Sequence, residues 1–131
     1  MTEYAALPHT LFVSASLLTV VETSAFARRA EKLLSAEEHE ELLFFLASHP
    51  QAGDEIPGAG GVRKLRFAAK GRGKSGGVRA IYYFFDEENP LYALFLYGKN
   101  EQANLNPKQL QEFAAFAARI KAAAKTRRSQ S

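Results

Sequence analysis

Residues 58–98, GAGGVRKLRFAAKGRGKSGGVRAIYYFFDEENPLYALFLYG, decide how this chain folds. Between Val62 and Ala68 the apolar Leu65 and Phe67 alternate with Lys64 and Arg66, a period of two that belongs to a strand with one face on a core. The same parity sets Lys64 and Arg66 together on the other face and gives Arg63 the opposite one. A glycine-rich loop, Gly71 to Gly77, leads into Val78 to Phe85, which is almost wholly apolar, as a central strand is. Asp86 to Pro90 reads as a turn and Leu91 to Tyr97 as the next strand. Three strands joined by short loops predict an antiparallel meander.

Working outward, the segments before the meander have helical period. Thr23 or Ser24 is a cap for a helix with Phe26, Ala30, Leu33 and Leu34 on one side. Ser35-Ala-Glu-Glu opens a second helix, with Glu38 at the capping-box position and Leu42, Leu43 and Leu46 as its stripe, ending near Ser48. Pro50, Gly53, Pro57, Gly58, Gly60 and Gly61 mark a turn-rich connection to the meander. The apolar run Leu11 to Val21 resembles a signal peptide only superficially. It follows Glu3 without any Lys or Arg and is too short to span a bilayer, so it reads as a strand, best defined at Thr19 to Glu22. After the meander, Asn106-Pro107 is a cap with a first-turn proline, opening a helix with Leu110, Phe113, Ala117 and Ile120 on one side. Lys121 to Ser131 is basic and polar and reads as a fraying tail. The expected organisation is an N-terminal lead-in or extension (1–18), one domain (19–121) and a basic flexible tail (122–131). Its class is α+β, ordered β-α-α-β-β-β-α, with a twisted, mainly antiparallel sheet packed against helices.

Charge is the second signal. The net charge is only +3, yet Arg63, Lys64, Arg66, Lys70, Arg72, Lys74 and Arg79 fall between Ile56 and Phe85, a stretch without Asp or Glu. A cationic cluster of this kind attracts polyanions, phosphodiester backbones foremost and acidic proteins second. With no cysteine there is no disulfide framework, thiolate nucleophile or cysteine-ligated zinc, and a reducing cytoplasm is the expected location.

Several familiar chemistries drop out. His9, His39 and His49 lack ligand spacing with a carboxylate, so no metal is expected. Glu37, Glu38, Glu40 and Glu41 occupy the first turns of a helix, where the dipole and water account for them. Gly73-Lys74-Ser75 has the ending of a P-loop, but Ala68 stands where its first glycine belongs and a strand follows where a helix is needed. What survives is a row of cations on two neighbouring strands and their loop, with Tyr97, Lys99 and Asn100 at the end of the third. Such a row can promote metal-independent attack of a ribose 2′-hydroxyl on the adjacent phosphate by stabilising charge on the non-bridging and leaving oxygens. An equally basic sheet can also bind without cutting.

The motifs G-x-R-K-x-R (61–66), K-G-x-G-K-x-G-G-x-R-x-I-Y-Y (70–83) and Y-G-K-N-E (97–101), in this order of elements, resemble RelE/HigB-type toxins of type II toxin–antitoxin systems. Within the RelE/ParE superfamily the chain is most similar to HigB toxins with a Lys/Gly-rich loop. The resemblance runs from about Val20 to Lys121, and the first eighteen residues exceed the usual start of the family. It implies a ribosome-dependent endoribonuclease that cleaves translated mRNA in the A site of the 70S ribosome and needs no cofactor. It also implies a cognate antitoxin, commonly a helix-turn-helix protein of the HigA kind. Operator DNA would be contacted only through that antitoxin, and no membrane is involved.

Residue by residue, the family's cleft-lining basic positions match Lys64 and Arg66, and its phosphate-contacting arginine matches Arg79. Lys99 keeps its place, whereas Asn100 stands where a catalytic arginine is frequent. The tyrosine found early in the final helix has no counterpart, Asn106 lying near that position, so Tyr97 is the candidate substitute, with a tyrosine at the edge of the core as the equal alternative. Lys70, Arg72 and Lys74 are expected to grip ribosomal RNA or message, with Arg63 peripheral to them. Two alternatives remain: a ParE-like inhibitor of DNA gyrase without nuclease activity, and an inactive homologue that keeps only its antitoxin.

Overall fold

The computed structural model describes residues 17–69 and 77–130. Its elements are β1 (Val20–Glu22), α1 (Ser24–Leu33), α2 (Ala36–Ser48), β2 (Asp54–Glu55), β3 (Val62–Phe67), β4 (Val78–Tyr83), β5 (Leu91–Gly98) and α3 (Pro107–Gln130). The five strands form one sheet in the order β1-β5-β4-β3-β2. β1 runs parallel to β5, and every other neighbouring pair is antiparallel. The expected α+β class and meander are therefore present, with β2 added at the sheet edge from within the turn-rich connection.

Local chemistry sets the helix starts. Thr23 caps α1: its hydroxyl accepts from Phe26 N–H at 3.1 Å and donates to Leu94 O at 3.0 Å, tying the helix to β5. Ser35 and Glu38 form the reciprocal capping box of α2, with bonds of 3.1 and 2.9 Å. Asn106 and Gln109 exchange the equivalent pair at the start of α3, at 2.8 and 3.0 Å.

The sheet separates two apolar layers. On one face Val78, Ala80, Tyr82, Leu91, Ala93 and Leu96 pack with Phe26, Ala30 and Leu33 of α1 and Leu42 and Leu46 of α2. On the other, Val62, Ile81, Tyr83, Leu94 and Tyr97 pack with Ala117 and the partly buried Leu110, Phe113, Phe116 and Ile120 of α3. An irregularity in the β4–β5 pairing at Ile81/Tyr82 lets this alternation continue along β5. Gly53 is required by close approach, since its N–H donates to Tyr82 Oη at 2.8 Å and an added Cβ would meet that oxygen at 2.8 Å. Gly77 has φ +74°, and a Cβ there would sit 2.5 Å from Phe67 O, so only glycine closes the β3–β4 connection at this point.

The first strand, Val20–Glu22, falls within the expected Thr19 to Glu22, and residues 11–16 of the apolar run lie outside the described residues. One boundary differs from expectation. The basic end is helix and not a tail: α3 continues through Lys121 to Gln130. It is held because Arg127 donates to Asn89 Oδ1 at 2.7 Å, Arg128 pairs with Asp86, and the Arg128 guanidinium lies 5.4 Å from the centre of the Phe85 ring. No helix among the described residues is long and apolar enough to cross a membrane.

Candidate functional site

Strand register decides which cations meet. Arg66 on β3 stands opposite Arg79 on β4, and Arg79 stands opposite Tyr97 on β5, so the three form one row across the sheet. Lys64, two residues before Arg66, shares its face and pairs with Ile81. This is the face that α3 packs on. The helix buries Val62 at one end of β3, but exposure grows through half-buried Lys64 to exposed Arg66. The cationic end of β3 is thus left open to solvent.

The segment after β5 borders the row. Lys99 and Asn100 are exposed in the turn, and Lys99 N–H donates to Gly77 O at 3.4 Å, bridging to the start of β4. Asn104 brings its side-chain oxygen to 3.5 Å from Lys64 Nζ. Arg66, Arg79, Lys99 and Asn100 therefore lie towards the same end of the inner strands β3, β4 and β5, with Lys64 one step further along β3.

Tyr97 is in the row but not on its surface. The whole residue is 0% exposed, and its hydroxyl has no hydrogen-bond partner among the described residues. Burial raises the phenol above its ordinary pKa, with the Arg79 charge opposing that shift. Of the two expectations for Tyr97, a substitute for the catalytic tyrosine and a tyrosine at the edge of the core, its placement fits the second: it belongs to the second core with Phe113 and Phe116 of α3, and its ring centre lies 6.1 Å from that of Phe95.

Arg63 points away from the row, as its parity requires. Its guanidinium donates to Gly53 O at 2.6 Å and Gln51 O at 3.2 Å, and pairs with Glu55 at 3.4 Å, which fastens β2 to β3. The RNA-contact expectation for Arg63 gains nothing from this placement. Lys70, Arg72 and Lys74 lie outside the described residues.

Sequence reasoning missed a second layer behind the turn. Arg29 of α1 pairs with Glu101, donates through Nε to Leu96 O at 2.9 Å, and covers the Phe95 ring at 5.8 Å from its centre. Glu101 also accepts from Gly98 N–H at 2.8 Å and lies 3.9 Å from Lys32 Nζ. Burial pushes the Glu101 carboxyl up, but the Gly98 and Arg29 hydrogen bonds and the charges of Arg29 and Lys32 outweigh it, so its pKa is lowered. The only signal in the sequence was the acidic end of Y-G-K-N-E; its partner lies 72 residues earlier.

A groove between α1 and α2, lined by Ala27, Glu31, Leu34 and His39 among others, is separate from this constellation.

Residues 19–130 match the family described as the RelE toxin of the RelE/RelB toxin–antitoxin system. The chain belongs to the RelE toxin family. Its architecture is also similar to that of the E. coli toxin RelE, solved in the free state as a double arginine-to-alanine mutant. That likeness has a TM-score of 0.50 at 15% identity and covers 76% of this chain and 95% of that one, and it is one of fold. As a RelE-family toxin the chain has an antitoxin as its partner. The family match runs past residue 121 to the end of α3, in keeping with the helical course of that segment.

Proposed function

We propose that this RelE-family toxin is a ribosome-dependent mRNA endoribonuclease, nearest in character to the HigB branch. The observation that carries the reading is the in-register Arg66–Arg79 pair on the open part of the sheet. The register sets the two arginines opposite one another on one face of the sheet, and a guanidinium offers forked N–H donors matched to phosphate oxygens. In the proposed reaction the ribose O2′ attacks the adjacent phosphorus as its proton passes to water, and the bond to O5′ breaks as O5′ takes up a proton. The products are a 2′,3′-cyclic phosphate and a 5′-hydroxyl. Arg66 and Arg79 stabilise the charge that grows on the non-bridging oxygens. Lys64 and Lys99, at the two borders of the row, supply ammonium donors to the message backbone and to the leaving O5′, while Asn100 donates a neutral hydrogen bond. The ribosome supplies the ordered message, and a HigA-like helix-turn-helix antitoxin is the proposed neutralising partner.

The enclosed Tyr97 favours a second reading, in which the fold is kept for binding an antitoxin or DNA gyrase without cutting RNA. The two are separated by an in vitro translation reaction with purified protein, with message 5′ ends mapped by primer extension, beside ribosome-free and Arg79→Ala controls. Cleavage inside the coding region that requires both ribosomes and Arg79 supports the nuclease. Intact message with unimpaired translation rejects it, and gyrase supercoiling is then the assay to run.

A further inference from the structure

Glu101 and Arg29 carry no phosphate chemistry of their own, yet several bonds converge on them. We propose that Glu101, anchored by Arg29, is a positioning residue that fixes the Lys99–Asn100 turn at the end of the row so that both side chains meet the message. The inference rests on the nuclease reading and names what prepares that site.

The turn is closed from both sides. Glu101 Oε1 accepts from Gly98 N–H at 2.8 Å, while Glu101 N–H donates back to Gly98 O at 3.0 Å. Gln102 N–H also reaches Gly98 O, at 3.4 Å. Inside this loop the Asn100 side chain folds against Gly98: a Cβ on Gly98 would lie 2.9 Å from Asn100 Oδ1 and 3.5 Å from Glu101 Oε1. Gly98 is therefore glycine to make room for the amide that the row ends on.

Arg29 then locks the loop to the body of the protein. Its guanidinium joins three groups at once, the Glu101 carboxylate, the Leu96 carbonyl at 2.9 Å and the Phe95 ring. Lys32 stands 3.9 Å from the second carboxylate oxygen. A bare carboxylate beside a phosphate path would repel the substrate. With Arg29 and Lys32 on it, Glu101 is neutralised and serves only as a hydrogen-bond hub. Because Val78 pairs with Gly98 and Arg79 with Tyr97, any slack in this turn is one register step from Arg79. Holding the turn before substrate arrives removes ordering entropy from the reaction, which is how supporting residues raise rate without touching the reacting atoms.

The test compares wild type, Glu101→Ala, Glu101→Gln, Asn100→Ala and the Glu101→Ala/Asn100→Ala double variant by ribosome-dependent cleavage, with amide exchange at Lys99 and Asn100. A positioning role lowers the Glu101→Ala rate at saturating ribosomes by about 10-fold to about 100-fold, with little change in the half-saturating ribosome concentration. Glu101→Gln retains most of the rate, because its amide oxygen still accepts from Gly98 and Arg29. The double variant falls no further than the worse single one, since both act through the same turn. Weakened ribosome binding at unchanged saturated rate, or fully additive losses, would overturn the proposal. Should Glu101→Ala not fold, Arg29→Lys keeps the charge but not the three-way fork and is expected to lower the saturated rate; an unchanged rate would count against the role. If wild type cleaves nothing, the nuclease reading fails separately and amide exchange decides the clamp. Faster exchange at Lys99 in Glu101→Ala, with β4 unchanged, upholds it, and equal exchange refutes it.

Discussion

Arg66 and Arg79 are direct cross-strand partners, two like charges in register on adjacent antiparallel strands. Opposed like charges weaken a sheet, although exposure and salt reduce the penalty. Arg66→Gln is therefore expected to leave stability unchanged or raise it by up to about 0.5 kcal/mol, while abolishing growth arrest on induction. Urea unfolding and a plating assay read the two effects. A variant that loses toxicity because it unfolds would remove the argument that this pair is kept for an anion.

Two of the buried tyrosines, Tyr82 and Tyr97, predict opposite responses to loss of the hydroxyl. Tyr82 Oη accepts from Gly53 N–H in the core, so Tyr82→Phe strands a buried donor and is expected to cost about 1–3 kcal/mol. Tyr97 Oη has no such partner among the described residues, so Tyr97→Phe is expected to be neutral or stabilising by about 1 kcal/mol. Denaturant midpoints at constant slope check both. Loss of cleavage by a stable Tyr97→Phe would show that the phenol acts in the reaction despite its enclosure.

Strands β3 to β5 were legible because period-two alternation and turn residues are local, and the starts of all three helices could be read from their caps. The parity that put Arg63 apart from Lys64 and Arg66 was equally local and is observed. What could not be read depends on contacts distant in sequence. β1 finds β5 as a parallel neighbour, which no turn announces, and β2 is only two residues long inside a Gly/Pro-rich connection. Tyr97 was ambiguous because its burial depends on where α3 crosses the sheet. Arg29 drew no reading from the sequence, since nothing near it in the chain points to Glu101.

Acid should loosen the turn through Glu101. Its folded-state pKa lies below the ordinary value of 4.5, so its contribution to stability is present above that value and disappears as pH falls through the folded one. Glu101→Gln is expected to flatten this part of the acid limb of the stability curve and to lower the neutral plateau by what the carboxylate contributes there, so that the two proteins converge at low pH. Thermal unfolding from pH 7 down to about pH 3 makes the comparison. An identical acid limb in the two proteins would mean that the carboxylate is not paired in solution.

Ribosome or RNA affinity should carry the imprint of the cationic stretch. If several phosphates are neutralised, log affinity falls linearly with log salt, with a slope of about −0.7 to −0.9 for each one. Neutralising Arg66 should reduce the slope by about one contact, whereas Arg63→Gln, on the opposite face and bonded to backbone carbonyls, should not. Titrations at four or more salt concentrations suffice, and a flat response would dismiss the electrostatic account.

The last turns of α3 explain why a basic terminus need not fray. Ala122, Ala123 and Ala124 followed by Lys125, Arg127 and Arg128 have high helix propensity, but propensity alone does not hold a helix end in place. Anchorage comes from Ala124, which is 2% exposed, and from Arg127 and Arg128 reaching Asn89 and Asp86 in the β4–β5 turn. Truncation after Lys121 is expected to cost about 1–3 kcal/mol, combining a lost part-buried hydrogen bond with lost apolar burial. Lys125→Ala, an exposed change on the same segment, should stay within about 0.5 kcal/mol of wild type. Chemical denaturation of both proteins, with amide exchange across residues 86–90, separates the cases: faster exchange there only in the truncated chain means that the helix end fastens the turn, and equal exchange means that the contacts are not formed in solution.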